Sequence, residues 1–156
     1  MATTTTISQV GEFPLISSMV GDLTMGQAVT LGPGDDGAVF QVDGSAVVST
    51  DVLVEEVHFR RRWSTATDVG RKAVAVNVSD IEAMGAVPVA LVVGFSAPGD
   101  LPASWAREFM AGMTAESQKA GVSVVGGDTT GGPVVSIAVT VIGQTAGMAP
   151  CLLYTS

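Results

Sequence analysis

Asn77 and Asp80 put an amide and a carboxylate three residues apart in an otherwise apolar stretch with helical character. Residues with this spacing share a helix face, so both side chains can direct oxygen atoms toward one point. A negative charge in apolar surroundings is costly unless a cation meets it. The chain has only 7 Lys and Arg against 15 Asp and Glu, so a metal ion is a better candidate for that cation than a side chain.

Further acidic and hydroxyl residues stand at the ends of predicted elements. They are Asp35 and Asp36, then Ser49, Thr50 and Asp51, and finally Asp128, Thr129 and Thr130. Oxygen ligands drawn from separate elements are typical of Mg²⁺, which also keeps waters and substrate phosphates in its shell. A single Asp beside Gly is equally explained by turn formation, and Asp80 alone could be a partly exposed helix residue. The four groups together favour a Mg²⁺ site.

Other kinds of chemistry receive less support from the sequence. The glycine-rich segment 126–132 could present backbone N–H groups to a phosphate, but a P-loop is excluded because no Gly-x-x-x-x-Gly-Lys-Ser/Thr pattern occurs. His58 is the only histidine, and as a surface loop residue it would need no function. A zinc site would need more His or Cys ligands, and a nucleophile elbow is missing. Arg60, Arg61 and Arg62 form either a solvated loop or a contact for an anionic substrate.

Composition limits the class of protein. The 156 residues suit one domain, and 47% hydrophobic residues with 19 Gly are typical of an α/β chain. The net charge of −8 argues against a nucleic-acid partner. Cys151 is the only cysteine, so no intrachain disulfide is expected. The sequence shows neither a signal peptide nor an apolar run of membrane-spanning length, which predicts a cytoplasmic protein without a membrane partner.

The pattern of apolar residues predicts the elements that would position these groups. A mobile start, 1–10, precedes a short helix at 11–20. Strands at 38–42 and 46–54 are predicted to form a hairpin across Asp43 and Gly44. Thr67 is the expected N-cap of a helix over 68–84.

In the second half of the chain, predicted strands and helices also alternate. Its predicted elements are a strand at 89–95, a helix at 102–120, a strand at 122–125, a turn at 126–133 and a strand at 134–142. Trp105, Met110 and Met113 are expected in the core or in an interface. The result is an α/β (α+β) fold in which helices cover one face of a mixed sheet. We expect a second copy or a second domain to cover the other face.

Several motifs, taken as a set, resemble the N-terminal domain of the thiamine-monophosphate kinase family over about residues 11–143. They are GEFPLI at 11–16, GDD at 34–36, STDVLVEEVHF at 49–59, NVSDIEAMGAVP at 77–88 and GGDTTGGP at 126–133. The segment 79–85 is shared with the wider superfamily of aminoimidazole ribonucleotide synthetase, selenophosphate synthetase and the hydrogenase-maturation dehydratase. The segments 11–13 and 49–59 are more specific to the kinase.

The resemblance implies Mg²⁺-dependent transfer of the ATP γ-phosphoryl group to thiamine monophosphate, giving thiamine diphosphate. It implies Mg²⁺ ligands at Asp36, Ser49, Thr50, Asp51, Asp80 and Asp128. It also implies ATP contacts at Gly127 and Asp128, a thiamine monophosphate contact at His58, and a homodimer joined through the sheets. Such a transfer rests on positioning and charge neutralisation and needs no protein nucleophile.

The resemblance also implies a second domain and a basic segment with an ATP-contacting arginine after residue 143. Here the chain has no Lys or Arg after Lys119, and residues 144–156 form a tail unlike the family. The leading hypothesis is therefore a kinase fragment whose 11–143 domain binds ATP and Mg²⁺ and whose C-terminal domain is absent. The alternatives are another ATP-dependent enzyme of the superfamily and a non-catalytic dimerisation or regulatory module.

Overall fold

The computed structural model describes residues 4–152, which form four helices and six strands. In chain order these are α1 (Ile7–Val10), α2 (Glu12–Val20), β1 (Val29–Leu31), β2 (Val39–Phe40), β3 (Ala46–Val54), α3 (Ala66–Ala83), β4 (Val87–Ala97), α4 (Ala103–Ala120), β5 (Ser123–Gly131) and β6 (Ser136–Gln144). No helix in this part of the chain is long and apolar enough to cross a membrane.

Four strands form a mixed sheet in the order β3-β6-β4-β5. Strand β6 is antiparallel to both of its neighbours, whereas β4 and β5 are parallel. Alternate strand residues such as Leu91, Val93 and Val139 enter one core with the apolar faces of α3 and α4. The predicted fold, a mixed sheet with helices on one face, is confirmed.

Helices α3 and α4 approach each other closely enough for their backbones to touch. A Cβ atom on Gly70 would lie 2.1 Å from the carbonyl oxygen of Phe109, and one on Gly112 would lie 2.2 Å from that of Thr67. Only glycine fits at these two positions. The contact fixes α3 against α4 and thereby sets where α3 meets the sheet.

Helix α3 begins two residues earlier than the sequence predicts, because Thr65 and not Thr67 is its N-cap. The Thr65 hydroxyl accepts a hydrogen bond from the Asp68 backbone N–H at 3.1 Å, and the Thr65 N–H donates to the Asp68 carboxylate at 3.3 Å. This reciprocal pair is a capping box. Thr67 could not form one, since the residue three positions later is Gly70, which has no side chain.

The predicted hairpin across Asp43 and Gly44 is wrong. Strand β2 pairs with β1 in a separate two-stranded sheet, and β3 pairs with β6. The turn is held by residues that follow β6: the Ser45 N–H donates to the Thr145 hydroxyl at 3.0 Å, and the Ala146 N–H donates to the Asp43 carbonyl at 2.9 Å. Phe40 of β2 packs with Val89 and Val125 and covers part of the second sheet face.

The predicted turn at 126–133 is also wrong for most of this glycine-rich segment. Residues 126–131 continue β5, in parallel register with β4 from Val92 to Ala97. The chain leaves the sheet only at 132–135. Strand β5 therefore carries Asp128 on the sheet itself.

The two ends of the described chain are attached to the domain. Residues 7–10 of the segment predicted to be mobile form α1, where the Ile7 N–H donates to the Leu101 carbonyl at 2.9 Å. In the predicted tail, the Cys151 N–H donates to the Met84 carbonyl at 2.8 Å. Residues 1–3 and 153–156 of these two segments lie outside the described residues.

Candidate metal and nucleotide site

A partly buried group of oxygen atoms lies where α3 crosses the edge strand β3. The Ser49 hydroxyl donates to the Asp80 carboxylate at 3.0 Å, which ties the strand to the helix. Asp51 lies two residues after Ser49 on the same strand face, because side chains alternate along a strand. The structure therefore brings three predicted ligands, Ser49, Asp51 and Asp80, to one place.

Asn77 belongs to this place but does not offer its oxygen to a ligand. Its side chain is only 1% exposed. Its Oδ1 accepts from the Asp51 backbone N–H at 3.2 Å, and its Nδ2 donates to the Ala73 carbonyl at 2.9 Å. The shared helix face of Asn77 and Asp80 is confirmed, while the amide of Asn77 is used inside the protein.

The carboxylates of Asp51 and Asp80 have no cationic partner within residues 4–152. The ion pairs in this part of the chain join Arg60 and Arg62 to Glu56, Arg61 to Glu55, and Lys119 to Glu116. The three arginines thus neutralise glutamates of their own loop. A half-buried oxygen set without a basic neighbour has the donor chemistry that Mg²⁺ prefers.

Thr50 lies on the opposite sheet face from Ser49 and Asp51. Its hydroxyl is 2.8 Å from the hydroxyl of Thr140 on β6, and either group can donate. The structure therefore does not bring the Thr50 side chain to the α3 crossing. Consecutive residues of a strand cannot direct their side chains to one site.

Gly127 and Asp128 form a second group at the other edge of the sheet. Asp51, Val139, Val93 and Gly127 are paired in one row across β3, β6, β4 and β5. Three strand spacings separate the ends of this row, or about 14 Å. The distance is too large for one ion to contact both groups.

Gly127 has a structural reason to be glycine. A Cβ atom there would lie 2.0 Å from the carbonyl oxygen of Val93. The missing side chain lets β5 approach β4 closely and leaves the backbone next to Asp128 open. Asp128 itself is exposed, and its Oδ1 accepts from the Thr129 N–H at 2.9 Å.

A cavity of about 310 Å³ adjoins Gly127 and Asp128. It is lined mainly by apolar side chains from α2, β4, β5 and α4, among them Phe13, Met19, Phe95 and Met110. Asp35 lies at its edge, whereas Asp36 does not line it; the Asp36 N–H donates to Asp35 Oδ1 at 2.8 Å in an exposed turn. This cavity could not be predicted from the sequence, because its lining combines residues from α2, the 33–35 loop, β4, α4 and β5, which are far apart in the chain.

Within the described residues, 4–152, no three carboxylate, imidazole or thiol groups come close enough to hold a metal ion by themselves. The two acidic groups are instead separate half-sites. Mg²⁺ commonly completes such an incomplete shell with waters and substrate phosphate oxygens. The donor set therefore fits Mg²⁺ brought together with a polyphosphate better than a closed protein cage.

His58 lies in the exposed loop after β3. Its Nδ1 accepts from the Val54 N–H at 3.0 Å, so in the neutral ring Nε2 carries the proton and is a donor. The Lys72 ammonium group on α3 donates to the His58 carbonyl at 2.7 Å and fastens the loop to the helix. An imidazole N–H held in this way can donate to an anionic oxygen.

These features agree with a known family. Residues 34–145 match the family described as "AIR synthase related protein, N-terminal domain", and the chain belongs to that family. The matched residues include the four-stranded sheet, the α3 crossing and both acidic groups. Helices α1 and α2 and strand β1 precede them.

Individual relatives are more specific than the family match. The thiamine-monophosphate kinase of Mycobacterium tuberculosis (strain CDC 1551 / Oshkosh) is 48% identical over 148 residues, which cover 94% of this chain and 44% of the kinase. The solved structure of AaThiL complexed with AMPPCP and TMP is 28% identical with a TM-score of 0.62, over 91% of this chain and 44% of that one. The chain thus spans less than half the length of these relatives.

The fold alone does not separate members of the superfamily. The crystal structure of the hydrogenase maturation protein HypE in complex with ATP has a higher TM-score, 0.71, at 26% identity, over 90% of this chain and 43% of HypE. Sequence identity is the better guide here, since the sheet and its helices are common to both groups. It points to the thiamine-monophosphate kinases.

Proposed function

We propose that this chain takes part in the ATP-dependent phosphorylation of thiamine monophosphate to thiamine diphosphate, in the cytoplasm. The proposal rests on two observations taken together. One sheet carries both acidic half-sites, and the chain is 48% identical to a thiamine-monophosphate kinase. The chain spans only 44% of that relative, so the activity of the complete kinase is proposed for this chain and does not follow from the comparison.

In the proposed arrangement, the cavity beside Gly127 takes the nucleoside of ATP. Its apolar side chains suit a base, and the Gly127 to Asp128 backbone lies at the polar end, where phosphates would lie. Asp36 and Asp128 would contribute ligands to Mg²⁺ on those phosphates, and phosphate oxygens and waters would complete its shell. The metal would neutralise the charge that keeps carboxylates and phosphates apart.

The second half-site would serve the transferred group. Ser49, Asp51 and Asp80 would hold further Mg²⁺, and the Nε2–H of His58 would donate to the phosphate of thiamine monophosphate. Thr50 would contribute only through its backbone, since its hydroxyl is bonded to Thr140 on the other face.

A coupled binding and product experiment tests the proposal. Calorimetry should detect Mg-ATP binding, and thiamine diphosphate should form from ATP and thiamine monophosphate. The Asp80→Asn variant, which keeps the shape of the side chain, should need about tenfold more Mg²⁺, equivalent to about 1.4 kcal/mol.

The alternatives give different results. Mg-ATP binding with turnover of another substrate would favour a different enzyme of the superfamily. Absence of Mg-ATP binding would favour a non-catalytic dimerisation or regulatory module. Unchanged Mg²⁺ dependence in Asp80→Asn would remove Asp80 from the ligand set.

We further propose a homodimer joined through the open sheet face. The apolar side chains of Val48, Val52 and Val92 are 61%, 44% and 39% exposed on this face, beside Thr50 and Thr140. Strands β1 and β2 cover only the neighbouring part. An exposed apolar surface of this kind is typical of an interface.

A further inference from the structure

We propose that Asn77 is a positioning residue for the Mg²⁺ site and not one of its ligands. Its side chain holds the backbone of Asp51, so that the carboxylates of Asp51 and Asp80 are presented together. The inference rests on the proposed function, because it concerns the same metal site.

The first step concerns the edge of the sheet. Strand β3 pairs with β6 on one side only. Its register with β6 is uninterrupted, and the bonds at the two ends of this ladder, from the Thr145 N–H to the Ser45 carbonyl at 3.0 Å and from the Glu55 N–H to the Val135 carbonyl at 2.9 Å, direct the N–H groups of its odd-numbered residues toward β6. The N–H of Asp51 therefore faces β6, and Asn77 Oδ1, at 3.2 Å, is a second acceptor that reaches it from α3.

The second step concerns the orientation of the asparagine. Its Nδ2 donates to the Ala73 carbonyl, one helical turn earlier, at 2.9 Å. This bond determines which end of the amide faces β3. With both ends engaged and 1% exposure, the side chain has one defined position and its oxygen is buried away from a metal ion at the surface of the site.

The third step combines the two connections between α3 and β3. Asn77 and Asp80 are three residues apart on the helix, and they bond Asp51 and Ser49, which are two residues apart on the strand. Asp80 remains partly exposed and charged, while the neutral Asn77 supplies the second connection without adding a buried charge.

The chemistry explains why an amide suits position 77. A carboxylate there would have no N–H to give to Ala73 and would place a third negative charge beside Asp51 and Asp80. An aliphatic side chain would remove the bond that connects α3 to the Asp51 backbone. Residues that support metal ligands in this way typically change metal affinity by about 10–100-fold when they are replaced.

The test uses Asn77→Leu, with Val78→Ala as a control that removes core volume from the same helix. Two quantities are measured on each folded variant: Mg²⁺ affinity by calorimetry and the free energy of unfolding. We expect Asn77→Leu to lose at least about tenfold in Mg²⁺ affinity. Val78→Ala should be less stable but should keep its Mg²⁺ affinity. If Asn77→Leu does not fold, Asn77→Ala replaces it.

Each contrary result has a distinct meaning. Unchanged Mg²⁺ affinity in Asn77→Leu would overturn the inference while leaving the proposed site intact, provided that Asp80→Asn still weakens binding. Equal weakening in Val78→Ala would show a purely structural effect and would also overturn it. An Asn77→Asp variant that binds Mg²⁺ more tightly would identify residue 77 as a ligand. Absence of Mg²⁺ binding by the unaltered chain would overturn the proposed site and the inference together.

Discussion

At the scale of single residues, Gly127 allows the sharpest comparison because its neighbour Gly126 is a matched control. In Gly127→Ala the new Cβ would meet the Val93 carbonyl at 2.0 Å, whereas nothing lies within 4 Å of a Cβ on Gly126. Forcing atoms into a packed position typically costs about 1–3 kcal/mol. We expect thermal unfolding of Gly127→Ala several degrees below that of Gly126→Ala. Equal unfolding temperatures would contradict the close approach of β5 to β4.

The sequence predicts which residues carry suitable oxygen atoms better than it predicts where their side chains point. The acidic groups and the shared helix face of Asn77 and Asp80 follow from residue types and helical spacing alone. Whether an oxygen is free does not, because that depends on a partner 26 residues away in the chain, the Asp51 N–H. The sequence alone could have removed the Thr50 side chain from the predicted ligand set, because alternation along a strand separates it from Ser49 and Asp51.

At the scale of elements, the N-terminus of α3 should show a pH-dependent stability. The pKa of Asp68 is lowered from its ordinary value, first by the hydrogen bond from the Thr65 hydroxyl, then by that from the Thr65 N–H, and further by the charge of Arg71. A carboxylate with a lowered pKa adds stability above its unfolded-state pKa, about 3.9, and this stability is lost as the pH falls through the folded-state value.

The variant Thr65→Ala removes both the cap and the strongest bond to Asp68. At neutral pH we expect it to cost about 1 kcal/mol, or about 2–4 °C in Tm for a domain of this size. The difference from the unaltered chain should narrow as the pH is lowered below about 4. Thr67→Ala is the control, because its hydroxyl makes only a 3.4 Å bond to the Glu108 carbonyl. A larger loss in Thr67→Ala would restore Thr67 as the N-cap.

Elements held by local signals were predictable, and elements held by distant contacts were not. Helix α4 and strand β4 were expected close to their observed positions, since their apolar patterns are continuous. The Asp43 and Gly44 turn carries a local hairpin signal, yet its partners are Gln144, Thr145 and Ala146, about a hundred residues later. Likewise, the glycines of 126–131 indicate a turn by composition, but pairing with β4 extends them as a strand.

At the scale of the whole molecule, the proposed homodimer can be tested at the open sheet face. A lysine at Val48, which is 61% exposed on this face, would place a charge in the proposed interface. We expect the unaltered chain to sediment as a dimer and Val48→Lys as a monomer. Val57→Lys is the matched control, because Val57 is 73% exposed in the loop after β3 and away from the sheet face. A monomeric unaltered chain, or equal dissociation of both variants, would show that the face is not the interface.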